Sequence, residues 1–262
     1  MLDWHGINFL YSISGFVVGA LVGITGVGGG SLMTPLLVLM FGIAPATAVG
    51  TDLLYACITK TGGTLVHGLH GTVAWPVVRR LAAGSIPATL LTILALRYFG
   101  AKEHGVSGLI TNVLGFALIL TAATLIFRKW LQARLARSVD ALAPWQKTLT
   151  TIALGAFLGV LVSISSVGAG AIGVTILVLL YPQLPAARVV GSDIAHAVPL
   201  TLVAGLGHLY LGSIDWSLLV SLLIGSLPGI VLGSYFAARV PDRLLRPVLA
   251  STLALTGARL IV

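Results

Sequence analysis

Charge is scarce in this chain. Asp, Glu, Lys and Arg make up 8% of its 262 residues, against roughly 25% in a soluble domain. With 57% apolar residues and a mean hydropathy of +1.06, a water-soluble globule is excluded. Acidic residues are rarer still, 7 against 15 Lys and Arg, for a net charge of +8. That excess does not point to nucleic acid, because the basic residues sit in short loops between apolar segments, as the positive-inside rule describes. Cysteine is nearly absent. Cys57 alone excludes an internal disulfide and any multi-Cys metal site, and it reads as a small buried apolar residue. No His-x-x-x-His pair or Cys cluster marks a metal centre. No nucleophile–base spacing and no His-Glu-x-x-His motif points to an enzyme, and no cofactor is expected. The opening residues Met1-Leu-Asp-Trp-His5 have neither a basic n-region nor an Ala-x-Ala cleavage site. The first apolar stretch is therefore expected to stay in the protein as a helix.

What is present is written twice. The first copy reads Gly15-Phe-Val-Val-Gly19, Gly26-Val-Gly28-Gly29-Gly30, Val49-Gly50-Thr51-Asp52, His67 to Trp75, then Gly84-Ser-Ile-Pro87. The second reads Gly155-Ala-Phe-Leu-Gly159, Val167-Gly168-Ala-Gly170, Val190-Gly191-Ser192-Asp193, His208 to Trp216, then Gly225-Ser-Leu-Pro228. The offset is 140 residues up to Pro45/Pro185 and 141 from Gly50/Gly191 onward. A duplicated, Gly-interrupted apolar chain is the pattern of a secondary transporter whose substrate sits where the copies meet.

Each copy divides into five apolar segments, near 7–25, 30–42, 46–66, 81–99 and 107–127, and near 148–165, 170–181, 186–207, 216–236 and 246–261. The second segment of each is too short for a bilayer core of about 30 Å. It follows glycines and precedes a Pro-containing turn, as a half-helix or re-entrant element does. Irregular backbone at membrane depth survives only inside protein or along a cavity, so the turns at 26–30 and 168–170 are expected to face each other in the interior. Arg128, Lys129, Arg134, Arg137 and Lys147 mark a cytoplasmic linker. Arg79 and Arg80 have the uncharged counterparts Val220 and Ser221, whereas Arg239, Arg243 and Arg246 face a counterpart loop with Lys102 beside Glu103. Basic loops that alternate between copies predict opposite insertion. The expected architecture is all-α and polytopic. It comprises a first transmembrane repeat over 1–127, a basic cytoplasmic linker over 128–147 and a second, inverted repeat over 148–262.

Polar groups inside apolar segments carry the chemistry. Asp52 and Asp193 are equivalent. An ionisable group at the centre of a membrane helix costs at least about 2.5–3.5 kcal/mol, so it usually faces a partner or cavity. Two readings stand open for the pair: helix N-capping after the preceding Pro turn, or proton coupling and gating. His196, one turn after Asp193, could share a hydrogen bond with it in a relay. Lys60, Thr64 and His67 share one helix face. Lys60 is matched by Thr201 in the second copy, so this cation breaks the repeat and suits an anion site. His67 and His208 read more simply as helix-end residues near the C-terminal dipole. The helices that begin after Gly30 and Gly170 offer free amides and a positive dipole end. Gly28, Gly29, Gly30, Ser31, Gly168 and Gly170, with hydroxyls from Thr34, Ser165 and Ser166, form the candidate substrate-binding turns. Gly15 and Gly19 read as a helix-packing pair.

The run Gly19-x-x-x-Gly23-Ile-Thr-Gly-Val-Gly-Gly-Gly30-Ser-Leu-x-x-Pro35, followed by Pro45-x-x-Ala48-Val-Gly-Thr-Asp52, resembles the TauE/SafE group of sulfite-exporter-like membrane permeases. Gly159-Val160, Gly168-Ala-Gly170 and Gly225-Ser-Leu-Pro-Gly229 with Gly233-Ser resemble the same group, and the likeness spans nearly the whole chain. It implies a multi-pass protein of a bacterial-type cytoplasmic membrane moving sulfur-containing anions such as sulfite, thiosulfate or sulfoacetate. It assigns no role to Asp52, where many members have Ser or Thr. The expected function is therefore a secondary transporter of a small anion by alternating access, with a proton as candidate coupling ion. Its partners are a lipid bilayer and no nucleic acid, and the competing reading is an anion channel of the same architecture.

Overall fold

The computed structural model describes residues 8–25, 30–100, 106–140, 142–236 and 242–261. All of its regular structure there is helical. Ten helices follow one another: α1 Phe9–Thr25, α2 Gly30–Leu39, α3 Pro45–Leu69, α4 Trp75–Gly100, α5 Val106–Asp140, α6 Pro144–Ser165, α7 Ala171–Leu180, α8 Ala186–Tyr210, α9 Trp216–Phe236 and α10 Asp242–Ile261. A chain this apolar must satisfy its backbone within each segment, and the α-helix does so. The five segments per copy appear as α1–α5 and α6–α10. The half-helices α2 and α7 have 10 residues each, about 15 Å of rise. Among the described residues five stretches are long and apolar enough to cross a membrane: Trp75–Phe99, Gly108–Arg128, Pro144–Ser165, Ala186–Tyr210 and Trp216–Gly233. The expected linker is a helix over most of its length. Residues 128–140 continue α5, which at 35 residues rises about 50 Å and outruns a bilayer core.

The helices pair crosswise between the copies. α1 lies on α9, α4 on α6, α3 on α8 and α5 on α10, a pattern that maps onto itself when the copies are exchanged. Glycines set the close approaches. A side chain at Gly15 would strike the Leu222 backbone and one at Gly19 the Ser226 backbone, while Gly229 and Gly233 abut Phe16 and Ala20. Numbers rise together along both helices, so α1 and α9 run parallel. The mirror contacts are Gly155 on Leu81, Gly159 on Ser85 and Gly84 on Ile152, which makes α4 and α6 parallel too. Gly15 and Gly19 are thus packing residues, as their spacing suggests.

α3 and α8 run antiparallel through the centre. Gly50 meets His208 and Ser213, Gly205 meets Leu54, Gly63 meets Ile194, and Gly191 meets His67 and Thr72. Two hydrogen bonds repeat the symmetry: the Asp215 amide donates to Thr51 Oγ1 at 3.1 Å, and the Ala74 amide donates to Ser192 Oγ at 2.8 Å. α5 and α10 cross antiparallel at Gly115 and Gly257. Large apolar side chains cover the outside, among them Phe9, Leu69, Val231 and Leu255. In water such a surface would aggregate, and in lipid it matches the solvent.

Candidate substrate site

The polar interior lies where α3 and α8 cross and the two half-helices begin. In the second copy the turn before α7 is built as the Gly-rich pattern predicts. Ser166 ends α6 in the left-handed region (φ 58°), Gly168 and Gly170 take φ 124°, and every residue from Ser165 to Gly173 is buried. Glycine is needed at φ 124°, which other L-residues rarely adopt. Ser165 spends its hydroxyl locally, donating to the Leu161 carbonyl at 2.7 Å and accepting from the Val167 amide at 3.2 Å. Ser166 Oγ, also buried, has no partner among the described residues. In the first copy Gly30 opens α2 and Ser31 is buried. Gly28 and Gly29 lie outside the described residues, and so does the expected meeting of the two turns.

Neither aspartate caps a helix. The N-cap positions are Ala44 for α3 and Pro185 for α8, and each helix begins a full two turns before its carboxylate. Capping is therefore replaced by deep burial: Asp52 is 0% and Asp193 1% exposed. Asp52 accepts a hydrogen bond at 2.5 Å on Oδ2 from the hydroxyl of Thr34 in α2. The Ser166 hydroxyl stands beside the same carboxylate without meeting hydrogen-bond geometry. Oδ1 of Asp52 and Oδ1 of Asp193 have no partner among the described residues. The Asp193 oxygen lies against Gly173 in the first turn of α7, where a Cβ would overlap it. Lys60 on α3 interacts electrostatically with Asp193 first and Asp52 second. One cation and two carboxylates thus share the centre of the molecule.

His196 does not bond to Asp193. Its Nε2 pairs with Ser85 Oγ of α4 at 2.9 Å, and its Nδ1 has no partner among the described residues. The first copy mirrors the pair with Tyr55, whose hydroxyl stands beside Ser226. Thr64 Oγ1, one turn from Lys60, is also buried without a partner among the described residues. His67 leaves that stripe and pairs with Thr72 Oγ1 at 2.8 Å, while His208 is buried with Nε2 on the Ser163 carbonyl at 2.8 Å. Cys57 is free and buried. Among the described residues no group of His, Cys, Asp or Glu is arranged to hold a metal ion.

Sequence reasoning missed Ser85, Ser226 and Gly173. The two serines had a signal, since both stand in the repeated Gly-Ser-x-Pro. Gly173 had none, because its counterpart is Met33 and only packing brings a carboxylate to it.

Paired helices around a buried cluster of ionisable groups, covered outside by apolar side chains, define a polytopic helical membrane protein with a polar centre. The chain belongs to the family described as sulfite exporter TauE/SafE, which matches residues 11–260, and it is a membrane transporter of that type. It is 39% identical over 250 residues to the probable membrane transporter protein YjnA of Bacillus subtilis (strain 168), covering 95% of this chain and 98% of that one. It is 27% identical to the probable membrane transporter protein YdhB of the same organism, over 94% and 97% of the two chains. A probable membrane transporter protein of Xylella fastidiosa (strain 9a5c) is 25% identical over 86% of this chain and 83% of its own. No solved structure matches.

Proposed function

We propose that this chain is a secondary transporter that carries a small anion across a bacterial-type cytoplasmic membrane without converting it. The cargo is a sulfur oxyanion or organosulfonate, of the class of sulfite, thiosulfate or sulfoacetate. The observation that carries this reading is Lys60, a cation on a central helix that answers two buried carboxylates and has only Thr201 as its counterpart in the other copy. A positive charge that answers buried carboxylates at the polar centre suits an anion. The description of the family as sulfite exporters supports the sulfur class.

The two copies are inverted repeats and the cycle is alternating access about the α3/α8 crossing. Support comes from the self-equivalent pairs α3/α8 and α5/α10. Both run antiparallel, so the axis exchanging the copies is perpendicular to the helices. Arg79 and Arg80 at the start of α4, the basic end of α5, Lys147, Arg188, Arg243 and Arg246 then fall on one side, which we assign to the cytoplasm with the linker. Arg97 and Arg259 fall on the other.

Uptake into liposomes tests this. Labelled sulfite, thiosulfate and sulfoacetate, with acetate as a non-sulfur control, are offered with and without a pH gradient. Saturable, gradient-driven uptake of a sulfur anion, lost in Lys60→Ala, is the expected result. Equal flux of every anion regardless of gradient would replace the transporter by a channel.

A further inference from the structure

The repeat makes the two carboxylates equivalent, and the structure makes them unlike. Asp52 receives the Thr34 hydroxyl, whereas α7 has Val174 at the matching place. Asp193 is buried, and its Oδ1 finds no donor among the described residues. That oxygen lies against Gly173, the third residue of α7. It therefore stands at the first turn of the half-helix, where the positive dipole end favours negative charge, although the Gly173 amide itself donates to the Gly168 carbonyl at 3.4 Å. Lys60 interacts electrostatically with this carboxylate, as it does with Asp52. Asp193 occupies, as part of the protein, the place an incoming anion would take.

We propose that Asp193 is a resident anion. It competes with the transported anion for the first turn of α7 and for Lys60, and a proton on its carboxylate releases both to the substrate. The inference rests on the anion-site reading above. With Asp52 already at the centre, an ionised Asp193 and a bound anion would set three acidic groups against one lysine in a medium of low dielectric. The protonated carboxyl takes one of the three charges away and gains an O–H that donates to the anion. One proton binds Asp193 as the anion enters and leaves as the anion leaves, so each anion travels with one proton. Asp52 is held by the Thr34 hydroxyl and takes no part in this exchange. The other ionisable groups on the element that carries Asp193 are Arg188 and His196, with His208 at its far end, and α3, packed against it, brings Asp52, Tyr55, Cys57, Lys60 and, at its end, His67. α4 brings Arg79, Arg80 and Arg97 and α6 brings Lys147, all near helix ends, and α7 brings no charged residue.

The test is equilibrium binding of labelled thiosulfate and sulfoacetate to the purified full chain across neutral pH, where both probes keep their charge. Wild-type affinity is expected to fall about tenfold per pH unit once Asp193 ionises, the slope of one linked proton. Asp193→Asn is expected to bind without pH dependence, and in liposomes to equilibrate the anion without accumulating it on a pH gradient. Gly173→Ala, whose methyl group displaces the carboxylate from the turn, is expected to flatten the slope too. A wild-type slope in folded Asp193→Asn overturns the inference, and a wild-type slope in Gly173→Ala does so if the first variant does not fold. No binding by the wild type at any pH overturns the anion-site reading itself, and the inference with it.

Discussion

Thr34 and Val174 stand at equivalent positions in the two half-helices, and that difference of one hydroxyl separates the surroundings of Asp52 from those of Asp193. Thr34→Val keeps the shape and removes the donor, leaving a buried carboxylate less satisfied. We expect a loss of about 1–3 kcal/mol, read as earlier thermal unfolding in detergent. An unchanged melting curve would mean that Asp52 draws its support from elsewhere. The aspartates, Lys60 and His196 were legible in the sequence because an ionisable residue in an apolar run is conspicuous. Their partners were not. Ser85 lies 111 positions from His196, and nothing local to the chain could choose it over Asp193, three residues away.

At the scale of the element, glycine decides which helices touch. In α4 a Cβ at Gly84 would strike the Ile152 backbone of α6, and carbonyls cannot move aside as a side chain can. Gly108 in α5 has open space. Gly84→Ala is expected to lower stability by about 1–3 kcal/mol, the usual cost of overpacking. Gly108→Ala is expected to leave it unchanged or slightly raised, since Ala loses less backbone entropy in a helix. Thermal melts of the two variants side by side check this, and equal behaviour would argue against the α4/α6 contact. The GxxxG spacing announced that Gly15, Gly19, Gly155 and Gly159 pack, though it did not say against what. Their partners lie in the opposite copy, because crosswise pairing buries both small-residue faces at once.

For the whole molecule, the inverted arrangement proposed from the antiparallel α3/α8 and α5/α10 pairs would give equivalent residues opposite exposure. Leu69 at the end of α3 and Tyr210 at the end of α8 are both exposed and match across the repeat. In a Cys57→Ser background, Leu69→Cys is expected to label with impermeant thiol reagents from the cytoplasmic side and Tyr210→Cys from the outside. Labelling of both from one side would exclude the inverted arrangement and return the copies to parallel insertion.

Composition and repetition determined that this is a membrane protein, all-helical, doubled, with short half-helices after Gly-rich turns. Those properties follow from transfer free energy and backbone satisfaction, which are sums over a segment and need no knowledge of neighbours. Only the tertiary structure decided that α1 leans on α9 and α4 on α6. It also decided that Asp52 and Asp193 sit two turns inside their helices with no capping role, that His196 turns to Ser85, and that Gly173 makes room for a carboxylate. Each of these depends on which surfaces meet between copies more than a hundred residues apart, and such meetings are set by shape and distance that a linear pattern does not contain.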